Sequence, residues 1–176
     1  GGFTLNSGTV VARGVNALGS VGVLTINGGT IAANGNRDLS GKFSNIVVGG
    51  DFTLGSATTP AVGTSNLTFS NTMALGTSTS RIITIGGTGT YTLGGVISGS
   101  SSNLTVASTA AGTIVLRGAN TYNGTTTVSG GTLRLNRTGG TTLPTGNSVV
   151  VNSGGTLTIS TAQQLANVTV DAGGTL

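Results

Sequence analysis

The chain has no cysteine, histidine, glutamate or tryptophan, and each absence removes a class of function. Without cysteine there is no disulfide framework and no thiolate metal site. Without histidine, the many serine and threonine hydroxyls lack the usual base that would make one of them a nucleophile. Charge is scarce too, at 6% of residues, and the net +4 comes from seven basic residues against three acids. No dense basic field forms along such a chain, so nucleic acid is not an expected partner. No apolar run reaches the roughly 18 residues that a membrane helix needs, and the N-terminus lacks a charged segment followed by an apolar one. Neither a transmembrane helix nor a signal peptide is therefore expected, nor membrane contact by this segment. The only prolines are Pro60 and Pro144.

What the chain has in quantity is glycine, 33 residues of it, with 36% apolar content and polar positions filled by Ser, Thr and Asn. Within this background an apolar, outward, apolar triplet recurs nine times. It is found at Phe3-Thr4-Leu5, Leu24-Thr25-Ile26, Ile46-Val47-Val48, Leu67-Thr68-Phe69, Ile83-Thr84-Ile85, Leu104-Thr105-Val106, Thr126-Thr127-Val128, Val149-Val150-Val151 and Val168-Thr169-Val170. Successive triplets end 21, 22, 21, 16, 21, 22, 23 and 19 residues apart, which is the regime of solenoid repeats. Side chains alternate faces along a strand, so the first and third residues of each triplet point inward. Seventeen of the eighteen inward residues are apolar, and the exception is Thr126.

Turns rich in Gly, Asn, Ser and Asp flank most triplets, as in Asn27-Gly28-Gly29, Ser129-Gly130-Gly131, Asn152-Ser153-Gly154-Gly155 and Asp171-Ala172-Gly173-Gly174. Glycine enters positive φ there without a Cβ penalty. A second short strand follows, through Thr30-Ile31, Thr113-Ile114-Val115-Leu116, Thr132-Leu133-Arg134-Leu135 and Thr156-Leu157-Thr158-Ile159. A third is expected at Leu39-Ser40-Gly41, Val96-Ile97-Ser98-Gly99 and Leu143-Pro144-Thr145-Gly146. Both prolines fall between triplets, where bends are expected. The pattern predicts an all-β parallel β-helix of about nine rungs of roughly 21 residues, a rod on the order of 40 Å long. The 16-residue step between Phe69 and Ile85 reads as a trimmed loop, and the rung from Leu18 to Asp38 as one with a longer bend. The chain opens and stops in mid-repeat, so residues 1–176 are expected to form a single solenoid segment of a longer repeat protein.

Candidate chemistry is sparse. Polysaccharide-cleaving β-helices need clustered carboxylates, whereas the acids here are Asp38, Asp51 and Asp171. Only Asp38 and Asp51 are close enough to meet on adjoining rungs, and with Arg37 and Lys42 beside them a surface ion pair is the simpler expectation. A base at Lys42 has nothing further to support it. Gly35 to Phe43 superficially resembles a phosphate loop but has five residues between its glycines and Phe43 where Ser or Thr must reach a metal. Gly87-Thr88-Gly89 lacks the third glycine of a dinucleotide motif, and the aspartates of calcium-binding nonapeptides are absent. No catalytic residue, cofactor site or metal site is assigned, and no enzymatic activity is expected.

The outward Thr4, Thr25, Thr68, Thr84, Thr105, Thr127 and Thr169, with Val47 and Val150, could form the water-ordering column of an ice-binding solenoid. Equally, β-branched residues simply favour strand surfaces. Asn66, Asn103, Asn123, Asn136 and Asn167 each begin an Asn-X-Thr glycan-acceptor pattern, for which Asn-stabilised turns are the plainer cause. Arg117, Arg134 and Arg137 fall on adjoining rungs and offer a patch for sugars or polyanions, while Tyr91 and Tyr122 are expected to pack turns.

From Leu116-Arg117-Gly118-Ala119-Asn120-Thr121-Tyr122-Asn123-Gly124-Thr125 through Thr126-Thr127-Val128-Ser129-Gly130-Gly131-Thr132-Leu133-Arg134-Leu135 the chain resembles the passenger-associated repeat of bacterial autotransporters. Residues 143–157 and 167–176 resemble the repeats that usually follow it, whereas residues 1–110 share only the periodicity and the Gly-Gly-Thr corner. The resemblance implies a right-handed parallel β-helix, outside the cell or on a bacterial surface, carried there by an outer-membrane barrel not visible in this sequence. The expected role is a stalk, fibre or spacer that aids its own export. Its expected partners are neighbouring repeats or other copies in a filament. An adhesin gripping surface glycans is the alternative.

Overall fold

The computed structural model describes residues 1–14, 16–19, 22–56 and 64–176. The described residues contain strands and turns and no helix, and the strands form three walls in which every pairing is parallel. Wall A comprises β1 (Phe3–Leu5), β3 (Val23–Ile26), β6 (Asn45–Val48), β9 (Met73–Ala74) and β12 (Ile97–Ser98). Wall B comprises β2 (Thr9–Ala12), β4 (Thr30–Ala33), β7 (Phe52–Leu54), β10 (Ser80–Ile85), β13 (Asn103–Ser108), β15 (Thr126–Val128), β17 (Ser148–Val151) and β19 (Asn167–Val170). Wall C comprises β5 (Arg37–Asp38), β8 (Leu67–Phe69), β11 (Thr90–Leu93), β14 (Thr113–Leu116), β16 (Gly131–Leu135) and β18 (Gly155–Ile159). The chain runs A, B, C and then climbs to the next A. This is a parallel β-solenoid, and its longest wall of eight strands encloses about seven turns.

The expectation of nine rungs is corrected by where the triplets fall. The first three lie in wall A, Leu67-Thr68-Phe69 lies in wall C, and the last five lie in wall B. Ile46-Val47-Val48 and Leu67-Thr68-Phe69 thus belong to the same turn, so nine triplets describe eight rungs. An alternating apolar triplet marks any strand with one buried face, and it carries no information about which wall that strand joins. Partners along wall B are 21, 23, 31, 23, 22, 23 and 19 residues apart. The 16-residue step is not a trimmed loop, because Phe69 and Ile85 sit in different walls. Nor is the second turn enlarged, since wall A steps there by 21 and 22 residues. The extra length falls in the third turn, between β7 and β8, and includes Pro60, which lies outside the described residues.

Inward side chains stack as columns. In wall C, Leu67, Tyr91, Ile114, Leu133 and Leu157 lie over one another, as do Phe69, Leu93, Leu116 and Leu135. In wall B, Ile83, Val106, Val128 and Val151 do the same. All of these residues are buried in one continuous core. Each such side chain contributes about 1.5–3 kcal/mol relative to exposure, but only with a neighbour above or below, so a single rung has no stable form of its own.

Corners explain the paired glycines. After β17 the chain passes through Gly154 at φ 80°, a conformation glycine enters freely, and then Gly155, where a Cβ would strike the Val128 carbonyl oxygen one rung below. The first glycine of the pair is required by its own backbone and the second by its neighbour's. Wall A behaves differently. Val96 to Gly99 contains β12 as expected, but Leu39-Ser40-Gly41 and Leu143 to Gly146 form turns, and the wall has no strand above β12 among the described residues.

Candidate functional site

Where wall A loses its strands, side chains share the bonding between turns with a few backbone bonds such as Thr121 to Ile97 and Gly146 to Gln164. Thr126 is fully buried, and its hydroxyl lies 2.9 Å from the Tyr122 hydroxyl and donates to Asn147 Oδ1 at 3.1 Å. Asn147 Nδ2 in turn donates to the Gly124 carbonyl at 2.6 Å. The single polar inward residue of the triplets is therefore the centre of a satisfied network that joins the sixth turn to the seventh. Tyr122 is itself fully buried, and burial drives its hydroxyl pKa well above the ordinary 10.0, only partly offset by the bond to Thr126. One turn further on, Gln163 Oε1 accepts from the amides of Thr142 and Leu143 at 2.9 and 3.0 Å, supplying the acceptor that a paired strand would have offered.

Asparagines perform the same service elsewhere. Asn36 Oδ1 accepts from the Asn66 amide at 3.0 Å, and Asn66 Oδ1 from the Thr90 amide at 2.7 Å. Asn103 Oδ1 accepts from Thr125 at 2.8 Å, Asn120 Oδ1 from Ile97 at 2.8 Å and Asn123 Oδ1 from Ser101 at 2.5 Å. Three of the five Asn-X-Thr patterns, at Asn66, Asn103 and Asn123, thus use the asparagine to hold the adjoining rung. Asn136 and Asn167 sit on the upper turns, half-buried and exposed respectively.

The acids do not converge. Asp38 lies on wall C in the second turn and accepts from the Ser40 amide at 2.9 Å. Hydrogen bonds from the Ser40 hydroxyl and amide, with the nearby charge of Lys42, hold its carboxyl below the usual range. Asp51 lies at the corner between walls A and B, where it accepts from the Ile82 amide at 2.8 Å. Asp38 fixes a donor in its own turn and Asp51 one in the next turn, and Asp171 is six turns above Asp38. Arg37 does not pair with either; its terminal nitrogens donate to the carbonyls of Asn36 and Arg13, both at 2.9 Å. The phosphate-loop lookalike from Gly35 to Phe43 is spent on β5 and the turn after it, with Phe43 buried in the core. Among the described residues, no three His, Cys, Asp or Glu side chains come together.

The nine-position column read from the triplets forms only in part, as Thr105, Thr127, Val150 and Thr169 on wall B. Thr4 and Thr25 lie on wall A and Thr68 on wall C. On wall B, Thr84 faces Ala107, and Thr105 faces Ile82 on one side and Thr127 on the other. The outward residues are strand-surface threonines on three separate planes. Tyr91 and Tyr122 are both fully buried, which removes them as platforms for a sugar ring; Tyr122 lies in the wall A turn, whereas Tyr91 lies in β11 between Leu67 and Ile114 and not in a turn.

The three arginines do come together. Val115 is the register partner of Arg134 and Leu116 that of Leu135, so Arg117 stands one rung from Arg134 and two residues along, about 8 Å apart on strand geometry. Arg137 follows Arg134 where wall C turns towards wall A. It lines an open cleft of about 540 Å³ with Thr138, Thr141, Thr161 and Gln164. The upper-turn bonds of Gln163 and Asn147 were not anticipated. The only signal for them in sequence is a polar residue where a wall A strand would otherwise supply a carbonyl or amide.

These features define a class: a three-walled parallel β-solenoid held by apolar columns and by inter-rung amide bonds from Asn and Gln. Residues 111–135 match the family model of the passenger-associated-transport-repeat. That stretch contains β14, β15 and β16 and the Tyr122–Thr126 pair, and together with the solenoid it fits an autotransporter passenger repeat. The family implies a secreted or cell-surface location. Comparison with curated proteins and with solved structures finds no match.

Proposed function

We propose that the segment is a mechanical element of a β-helical autotransporter passenger: a stalk, fibre or spacer whose stepwise folding also aids its own export. The observation that carries this reading is the uninterrupted parallel pairing of wall B from β2 to β19, in which every rung is the template for the next. Such a stack converts emergence of the chain into folding, one turn at a time, with no need of an external energy source. Many of its amide side chains are committed to adjoining rungs. The passenger would be anchored by an outer-membrane barrel in another part of the protein, and other copies or adjoining repeats would extend it lengthwise. No catalytic step is assigned.

Electron microscopy and fibre diffraction of the native assembly test the proposal. A continuous rod with an axial spacing of about 4.8 Å supports it. A discrete globular head, or the absence of that axial spacing, would overturn it.

A further inference from the structure

We infer that Arg117, Arg134 and Arg137 form a binding site for an acidic glycan, a sugar chain bearing carboxylate or sulfate groups. Three of the seven basic residues of the chain gather on two neighbouring rungs. The acids lie elsewhere. Along wall C, Asp38 leads through Thr68, Thr92 and Val115 to Arg134, a separation of four rungs. That is about twice the Debye length at physiological salt. Asp51 is at the corner of walls A and B, and Asp171 stands at the corner of walls B and C, the opposite end of wall C from Arg137. The field over this corner is therefore positive in a molecule whose other charged side chains, four basic and three acidic, nearly cancel.

The guanidinium groups are also available. Arg117 is exposed and its side chain has no hydrogen-bond or ion-pair partner among the described residues. Arg134 is exposed and commits only Nε, to the Ser160 hydroxyl at 2.9 Å. Arg137 donates from one terminal nitrogen to the Thr141 carbonyl at 3.1 Å, which fixes the guanidinium at the wall of the cleft. The cleft is an open depression of about 540 Å³, similar in size to others of about 530 and 610 Å³ on the described surface, and what distinguishes it is the guanidinium in its wall. Thr138, Thr141, Thr161 and Gln164 line the cleft beside that guanidinium; Thr161 Oγ1 already accepts from the Arg137 amide and Gln164 Oε1 from the Thr145 hydroxyl, which leaves the Thr138 and Thr141 hydroxyls and Gln164 Nε2 for sugar hydroxyls beside one acidic substituent. A nucleic acid fits less well, because no exposed aromatic ring stands here to stack a base.

The test uses the full chain with labelled heparin fragments, oligogalacturonate, neutral dextran and a DNA strand of matched charge. Heparin or oligogalacturonate should bind in a salt-dependent manner, and which of the two binds more tightly identifies sulfate or carboxylate as the preferred group. Dextran should not bind, and DNA should bind at least tenfold more weakly. Arg117→Gln and Arg134→Gln should each weaken binding about fivefold, following the ~1 kcal/mol that one basic residue contributes near an anionic surface. Each should also lower the salt slope by about one, whereas Arg13→Gln should leave binding unchanged. Arg117→Gln removes no internal bond, so its effect is not a folding effect. Absence of acidic-glycan binding, retention of full affinity in the double variant, or DNA binding as tight as heparin would each overturn the inference.

Discussion

Thr126 is a polar side chain at a core position, and its worth depends on both of its partners. Replacing it with valine keeps the shape but leaves the Tyr122 hydroxyl and Asn147 Oδ1 without their bonds. An unsatisfied buried group costs about 1–3 kcal/mol, so Thr126→Val should destabilise by at least that much in urea denaturation. Tyr122→Phe alone should cost about 1 kcal/mol. The double variant should cost less than the sum, because the phenylalanine no longer strands a hydroxyl. The tyrosine also sets a pH dependence. Its pKa is raised in the folded state by burial, so the stability it confers is fully present below the unfolded value near 10 and is lost as pH rises beyond it. The chain has no histidine to add a transition near neutrality. Thermal midpoints should stay level from about pH 5 to 9 and fall above about pH 10; Tyr122→Phe should lessen that alkaline fall, and Tyr91, whose pKa burial also raises, accounts for part of what remains.

At the scale of the elements, the corner glycines make separable predictions. Gly154→Asn should be nearly neutral, because the position needs only positive φ and asparagine tolerates it. Gly155→Ala should cost more than about 1 kcal/mol, since its Cβ meets the Val128 carbonyl oxygen, which the rung pairing holds in place. Paired melting curves decide the order. These strands and corners were legible in the sequence, because alternation of apolar residues and Gly-Gly-Thr corners follow directly from burial of one strand face. Which wall a strand joins was not legible. Leu67-Thr68-Phe69 and Ile83-Thr84-Ile85 are alike as triplets and lie in different walls, because register is set by accumulated corner lengths that no single triplet records. The arginine patch was readable from repeat spacing, since Arg117 and Arg134 are separated by roughly one repeat. The Gln163 and Asn147 bonds depend on a wall whose strands vanish in the upper turns, and nothing in the local pattern announces that loss.

At the scale of the whole molecule, stability should be a sum of rung and interface contributions, so length should be adjustable in units of one turn. The register supplies the unit: Leu104 pairs with Thr126, and residues 104–125 make one circuit of 22 residues through β13, β14 and the wall A turn. A second copy of 104–125 inserted after Thr125 keeps β15 and β16 on the sequences they already pair with and adds one new junction, in which β13 and β14 each stack on their own copy. The enlarged rod should be longer by about 4.8 Å, with an unfolding midpoint no lower than that of the parent. Small-angle scattering and denaturant titration read the two quantities. An insertion of only eleven residues at the same point should do the opposite. Half a circuit cannot return the chain to wall B, so the columns of β15 and β17 would lose their footing on β13 and the upper turns would unfold as a block. If the full-turn insertion proves as damaging as the half-turn one, neighbouring rungs are not interchangeable templates, and the stepwise folding on which the export role depends fails with them.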